Sequence, residues 1–163
     1  MTLNPDTLFI KLNESRFDHC ISKIGINNIK LLVNSDKEII VASPKFDIKK
    51  SDDNHFELLL NKISKGNNYK TAKNNAEKIE FSFKTVGDTI LLDPYFILDK
   101  NEKWRSQDLK ITLKVPEGKV IYMDENLLPI IHDIHNTSNV WDGDMTGNYW
   151  IMKQEGLSLL NKK

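Results

Sequence analysis

The amino-acid sequence predicts a mainly β fold of many short strands, with a single α-helix near residues 68–79. Three observations carry this prediction. Apolar and polar residues alternate in run after run, as in strands with one buried and one wet face. Turn-forming clusters separate those runs at a spacing of roughly ten residues. One segment alone switches to the helical period of 3.6. The combination describes a sandwich, a barrel or a stacked β-solenoid. No repeat of residue identity is visible, but a solenoid requires only a repeat of shape.

The first runs are TLFIKL (7–12), IKLLV (29–33) and KEIIVA (37–42), rich in isoleucine, whose branched Cβ suits a pleated surface. In HFELLLNKI (55–63), Phe56, Leu58 and Leu60 share one face. The helical segment follows: Tyr69, Ala72, Ala76 and Ile79 recur at helical spacing, and Asn67 or Asn68 supplies an N-cap. Tyr69 and Ile79 are expected to cover part of the β core. In KIEFSFKTV (78–86), Phe81 and Phe83 alternate with Ser82 and Lys84, and DTILLD (88–93) follows across VGD. DLKITLKV (108–115) gives the clearest alternation, with Leu109, Ile111, Leu113 and Val115 on one face. KVIYMD (119–124) precedes the closing stretch, DGDMTGNYWIM (142–152). The breakers between runs are NSD (34–36), KKSDDN (49–54), VGD (86–88), LDKNEK (98–103) and VPEGK (115–119).

A chain of 163 residues is most simply one domain. Lysine plus arginine and aspartate plus glutamate balance at 23 each, so no net field attracts nucleic acid or an anionic surface. Arg16 and Arg105 are the only arginines, which weakens bidentate phosphate recognition further. Cys20 is the single cysteine, so an internal disulfide and a cysteine-based zinc site are both excluded. It falls in an apolar stretch and is expected to be an inert buried thiol. The opening MTLNPDTLFIKLNES carries no charged segment followed by an apolar run, so a secretory leader is not expected.

The second half carries a series of landmarks: GNNYKTAKNNAEKI (66–79), LLDPYFIL (91–98), KWRSQD (103–108), KVPEGKVIYMDE (114–125), DIHN (133–136), DGDMTGNYWIM (142–152) and EGL (155–157). In this order they resemble the C-terminal soluble domain of phage shock protein C-like membrane proteins of bacteria. The resemblance spans roughly residues 55–160, and the first fifty more loosely. It implies a toast rack of stacked short rungs, akin to a single-stranded right-handed β-solenoid. It implies one domain over residues 1–163, the C-terminal part of a longer protein held at the bacterial cytoplasmic membrane by segments outside this chain. The side of the membrane stays open. An envelope-stress role is implied, with a protein partner among membrane-associated stress components or a second copy, and without cofactor, metal, small-molecule substrate or catalytic residues. Relatives often end in a cysteine-bearing tail, whereas GLSLLNKK (156–163) has none.

Four groups of residues are candidates for function. His132 and His135, with Asp133, Asp142 or Asp144, would share a metal only if the segment were helical. Pro129 and Asn136 mark a loop instead, whose histidines and aspartates cap turns and stay wet. Asp124 and Glu125, with Glu117 nearby, are paired carboxylates of the kind glycoside hydrolysis uses, but neighbours in sequence rarely reach the separation it needs. Gly143 and Gly147 fit a tight turn, after which Tyr149, Trp150 and Met152 enter a closing strand with Trp150 and Met152 on one face. The expected interaction surface consists of Trp104 and Arg105 in one loop, and Leu127, Leu128 and Ile131 in another. Trp104 has an alternative role as the cover of a strand end.

The expected function is therefore a non-enzymatic protein-interaction domain. The competing reading is a carbohydrate-binding or carbohydrate-cleaving β-solenoid, for which tryptophans 104, 141 and 150 are available. A third is a self-assembling module that stacks through uncapped edges.

Overall fold

The computed structural model describes residues 5–26, 29–34, 37–101 and 103–161. Ser35 and Asp36 of the breaker at 34–36, and Glu102 of the breaker at 98–103, lie outside the described residues. The strands are β1 (Thr7–Leu12), β2 (Ile21–Ile26), β3 (Ile29–Asn34), β4 (Lys37–Ala42), β5 (Lys45–Lys50) and β6 (Glu57–Ile63). Helix α1 (Tyr69–Glu77) follows, then β7 (Phe83–Val86), β8 (Thr89–Leu92), β9 (Phe96–Leu98), β10 (Asp108–Val115) and β11 (Val120–Met123). A short helix α2 (Asp142–Met145) precedes β12 (Asn148–Lys153) and β13 (Gly156–Asn161). Single 3₁₀ turns sit at Glu14–Arg16 and Glu125–Leu127.

Three open sheets result, ordered β13-β12-β11-β1-β8-β7, β2-β3-β4-β9 and β5-β10-β6. The chain visits them twice in the same sequence. A first circuit runs from β1 through β4 to β5, and a second from β8 through β9 to β10. The circuits stack on one another through the pairs β1–β8, β4–β9 and β5–β10. The first and last of these are parallel. The middle pair is antiparallel: the β2–β3–β4 meander returns the chain to the direction of β2, and β9 runs opposite to β4.

A third circuit closes one end and runs backwards. It consists of β6 against β10, a bridge from Glu80 to Ile97 of β9, and β7 against β8, all antiparallel. The opposite end is extended by β11, parallel to β1, and by a parallel bridge from Ile131 to Phe46 of β5. There Phe46 N–H donates to the Ile130 carbonyl at 2.7 Å and His132 N–H to the Phe46 carbonyl at 3.0 Å.

β1 occupies the centre of the largest sheet. Its inward residues Leu8, Ile10 and Leu12 lie beside Ile121 and Met123 on one side and Ile90 and Leu92 on the other. All seven are buried. On the outer face, Phe9, Tyr122 and Tyr149 form a cross-strand aromatic ladder with centroids 4.8–6.5 Å apart. Asn126 clasps the end of β1, its side-chain oxygen accepting from Leu12 N–H at 3.0 Å. Arg16 ties the following turn to β8 through the buried Asp93 at 2.6 Å.

β10 alternates as its sequence requires, with Leu109, Ile111, Leu113 and Val115 buried. α1 is capped by Asn68, whose side chain accepts from Thr71 N–H at 2.9 Å. It packs on β6 through its alanine face. Ile79 is buried just past its end, but Tyr69 is 83% exposed and covers no core: it lies in the first turn, on the rim of the groove between α1 and β6. Leu60 and Phe83 also differ from expectation. Both are exposed, because their strands are the outermost of their sheets and have packing on only one side.

Ile10→Ala is expected to lower unfolding free energy by about 3 kcal/mol, the cost of a core truncation. The neighbouring Lys11→Ala is expected to stay within about 0.5 kcal/mol. Urea denaturation of both variants checks the pair.

Candidate functional site

The two ends of the stack differ. The third circuit leaves the outer edges of β6 and β7 without a neighbouring strand among the described residues. Leu59, Leu60, Ile63, Tyr69, Phe83 and Val86 all belong to it, more than half of the exposed large hydrophobic residues among those described. Ile63, Tyr69, Ala72 and Ala76 line a groove of about 450 Å³ between β6 and α1. On β7, the Asp93 N–H bonds the Ser82 carbonyl, so positions 82, 84 and 86 face β8. By the same alternation, the N–H groups of Phe83 and Thr85 point outward. An added strand would meet them.

Trp104 stands at this same end and is 48% exposed. Its loop is braced by Lys65 N–H donating to the Arg105 carbonyl, and by Arg105 N–H donating to Gln107 Oε1 at 2.7 Å. Arg105 itself is half-buried. The loop at 125–131 divides. Leu128 is exposed, but Leu127 is fully buried, because the 3₁₀ turn rotates it into the core beside Ile130. Leu127 is therefore not a surface residue, and Ile131 is largely taken up by its bridge to β5. The expected pairing of Leu127, Leu128 and Ile131 as one patch is corrected to Leu128 alone.

The acidic residues have local partners. Asp124 caps the 3₁₀ turn by accepting from Asn126 N–H at 3.1 Å, and Glu117 pairs with Lys50 at 2.6 Å. Glu125 is exposed beside Gly147, whose φ of +73° suits glycine. In the loop after Ile131, His132, Asp133 and His135 are exposed. Asp142 accepts from Asp133 N–H at 2.6 Å and from Ile134 N–H at 3.1 Å. Buried Asn136 accepts from Val140 N–H and donates back to the Val140 carbonyl, both at 2.8 Å. No group of three or more metal-ligating side chains converges among the described residues.

DGDM is a helical turn rather than the expected tight turn at Gly143. Trp150 and Met152 are buried on one face as expected, and the Trp150 indole N–H donates to the Met145 carbonyl at 2.9 Å. Cys20 is half-buried rather than sealed. It lines a cavity of about 300 Å³ with Phe17, Lys30 and Tyr95, because its segment leaves the sheet before β2 begins. Trp141, one of the three tryptophans available to the carbohydrate reading, is 74% exposed.

A family model described as "ToastRack found in some PspC" matches residues 33–163. The chain belongs to this toast-rack family. No curated protein and no solved structure matches it. The family match begins within β3, so β1 precedes it in sequence while standing at the centre of the largest sheet. No helix among the described residues is long and apolar enough to cross a membrane.

Asn136→Ala is expected to cost about 2 kcal/mol by leaving buried backbone groups unpaired. His132→Ala and His135→Ala are each expected to stay within about 0.5 kcal/mol, and a chelator to leave the melting temperature unchanged. Thermal melts of the three variants, with and without chelator, check this.

Proposed function

We propose that this PspC toast-rack domain is a non-enzymatic protein-interaction module that works beside the bacterial cytoplasmic membrane in an envelope-stress protein. In this reading the double circuit is the toast-rack stack, a β-solenoid-like frame interrupted by the β2–β3–β4 meander. The observation that supports the reading most is the concentration of exposed apolar residues on the third circuit, at two open sheet edges. An exposed edge offers main-chain hydrogen bonds to an added strand, and flanking apolar side chains supply the affinity. The partner is a protein that contributes an extended segment to β7, with Trp104 as an adjacent anchor. Membrane-associated stress components are the first class to test, and a second copy of this chain is the other.

Thr85→Pro removes an outward N–H while sparing the bonds between β7 and β8. Trp104→Ala removes the anchor. Each is expected to weaken partner capture by ~2 kcal/mol or more without lowering the melting temperature. Cross-linked pull-down from a bacterial membrane extract, paired with thermal melts, measures both. Undiminished capture by both variants would contradict the proposal. So would polysaccharide turnover that Asp124→Asn abolishes.

A further inference from the structure

At the end of the stack opposite the third circuit, the loop from His132 to Asp142 is fastened at many points and still holds a large aromatic in water. Asn136 and Asp142 tie the loop to itself, and Thr137 ties it to β13 through the Leu157 carbonyl and Ser158 Oγ. Trp141 projects from this frame. Its benzo ring rests against the α-carbon of Gly143, so closely that a β-carbon there would lie 2.0 Å from Cζ3. The indole is therefore held against backbone on one side and open to water on the rest.

Beside it opens a cavity of about 530 Å³ lined by Asp133, His135, Asn139, Trp141 and Asp142. This is within the range of small-ligand sites. We infer that the cavity is a saccharide-binding site, taking a neutral or N-acetylated hexose of a glycan chain. The lining chemistry selects that class. Stacking the C–H face of a sugar ring on the indole removes apolar surface from water on both sides. Hydroxyl groups at the ring edge then meet a carboxylate, an imidazole and an amide, which together both donate and accept.

Other ligand classes fit less well. The lining holds no lysine or arginine, so an anionic ligand finds no permanent countercharge. Ile134 is buried and Val140 half-buried, so an apolar peptide would gain one aromatic contact and little else. The site is fixed before binding by the hydrogen bonds above, which reduces the ordering cost of association. It shares no residue with the open edges of β6 and β7, and stands or falls independently of the protein-interaction reading.

Isothermal titration of the full chain with tri-N-acetylchitotriose and, separately, with maltotriose tests the inference. The expected result is saturable binding of at least one, and the arm that binds identifies the sugar type. Trp141→Ala is expected to weaken it at least about tenfold, the loss of one stacked aromatic. Gly143→Ala keeps the tryptophan but displaces its ring, and is expected to weaken binding to a similar degree with the melting temperature unchanged. Should Gly143→Ala lose the fold, Trp141→Ala alone decides. Absence of heat with both oligosaccharides at millimolar concentration would overturn the inference. Binding that Trp141→Ala leaves intact would overturn it too, as would a loss in that variant of protein capture or self-association instead.

Discussion

The rest of the structure depends on the seating of β1 between β8 and β11, parallel to both. Parallel neighbours cannot be joined by a tight hairpin, so the chain must leave the sheet and come back by a long crossover. It leaves β1 and returns to β8 after visiting the other two sheets. It leaves β8 and returns to β11 after visiting them again. The two crossovers are the circuits of the stack. Leu8, Ile10 and Leu12 reward this arrangement by joining the core on both sides of β1 at once. Long-range pairing of this kind forms slowly, because loop-closure entropy must be offset by the contacts it brings.

The same construction makes the two ends unlike. At one end the segment from Asp124 to Asp142 folds over the stack, bridging β5 through Ile131 and β13 through Asn136. Its hydrogen bonds run both within the segment and to β5 and β13, and Trp141 faces outward from it. At the other end the chain reverses through β6, α1 and β7 before it turns into β8. No strand among the described residues pairs with those edges. Lys62 and Lys84 on the two strands discourage indiscriminate pairing, as charges on edge strands do. An edge guarded by lysine yet rich in apolar residues suits a selected partner better than random self-association.

How much of this was legible in the sequence varies with how local each cause is. β10 and α1 were plain, because alternation and the 3.6 period are properties of a single segment. The Asn68 cap was visible for the same reason. β5 is not legible in the sequence, because Phe46, Asp47 and Ile48 are consecutively buried and its pattern does not alternate. Asp47 tolerates this by lying within 4 Å of the ammonium groups of Lys49 and Lys110, the latter on the neighbouring strand. β9 is three residues long and gives no period at all. Periodicity alone places Tyr69 over the core and Leu60 and Phe83 on a buried face, and their exposure follows from being last in the stack. Leu127 and Trp141 were decided by single turns of backbone, which composition does not encode. Order along the stack is a non-local fact, and the exposure of residues at its two ends inherits that.

Native-state hydrogen exchange on backbone amides tests the dependence on β1 most directly. If β1 is the central strand, its amides and those of β8 and β11 exchange only through global unfolding, with one shared protection free energy. Denaturant should lower all three together. Rapid exchange of the β1 amides while β8 and β11 stay protected would contradict the account, placing the strand at the periphery of a core that forms without it.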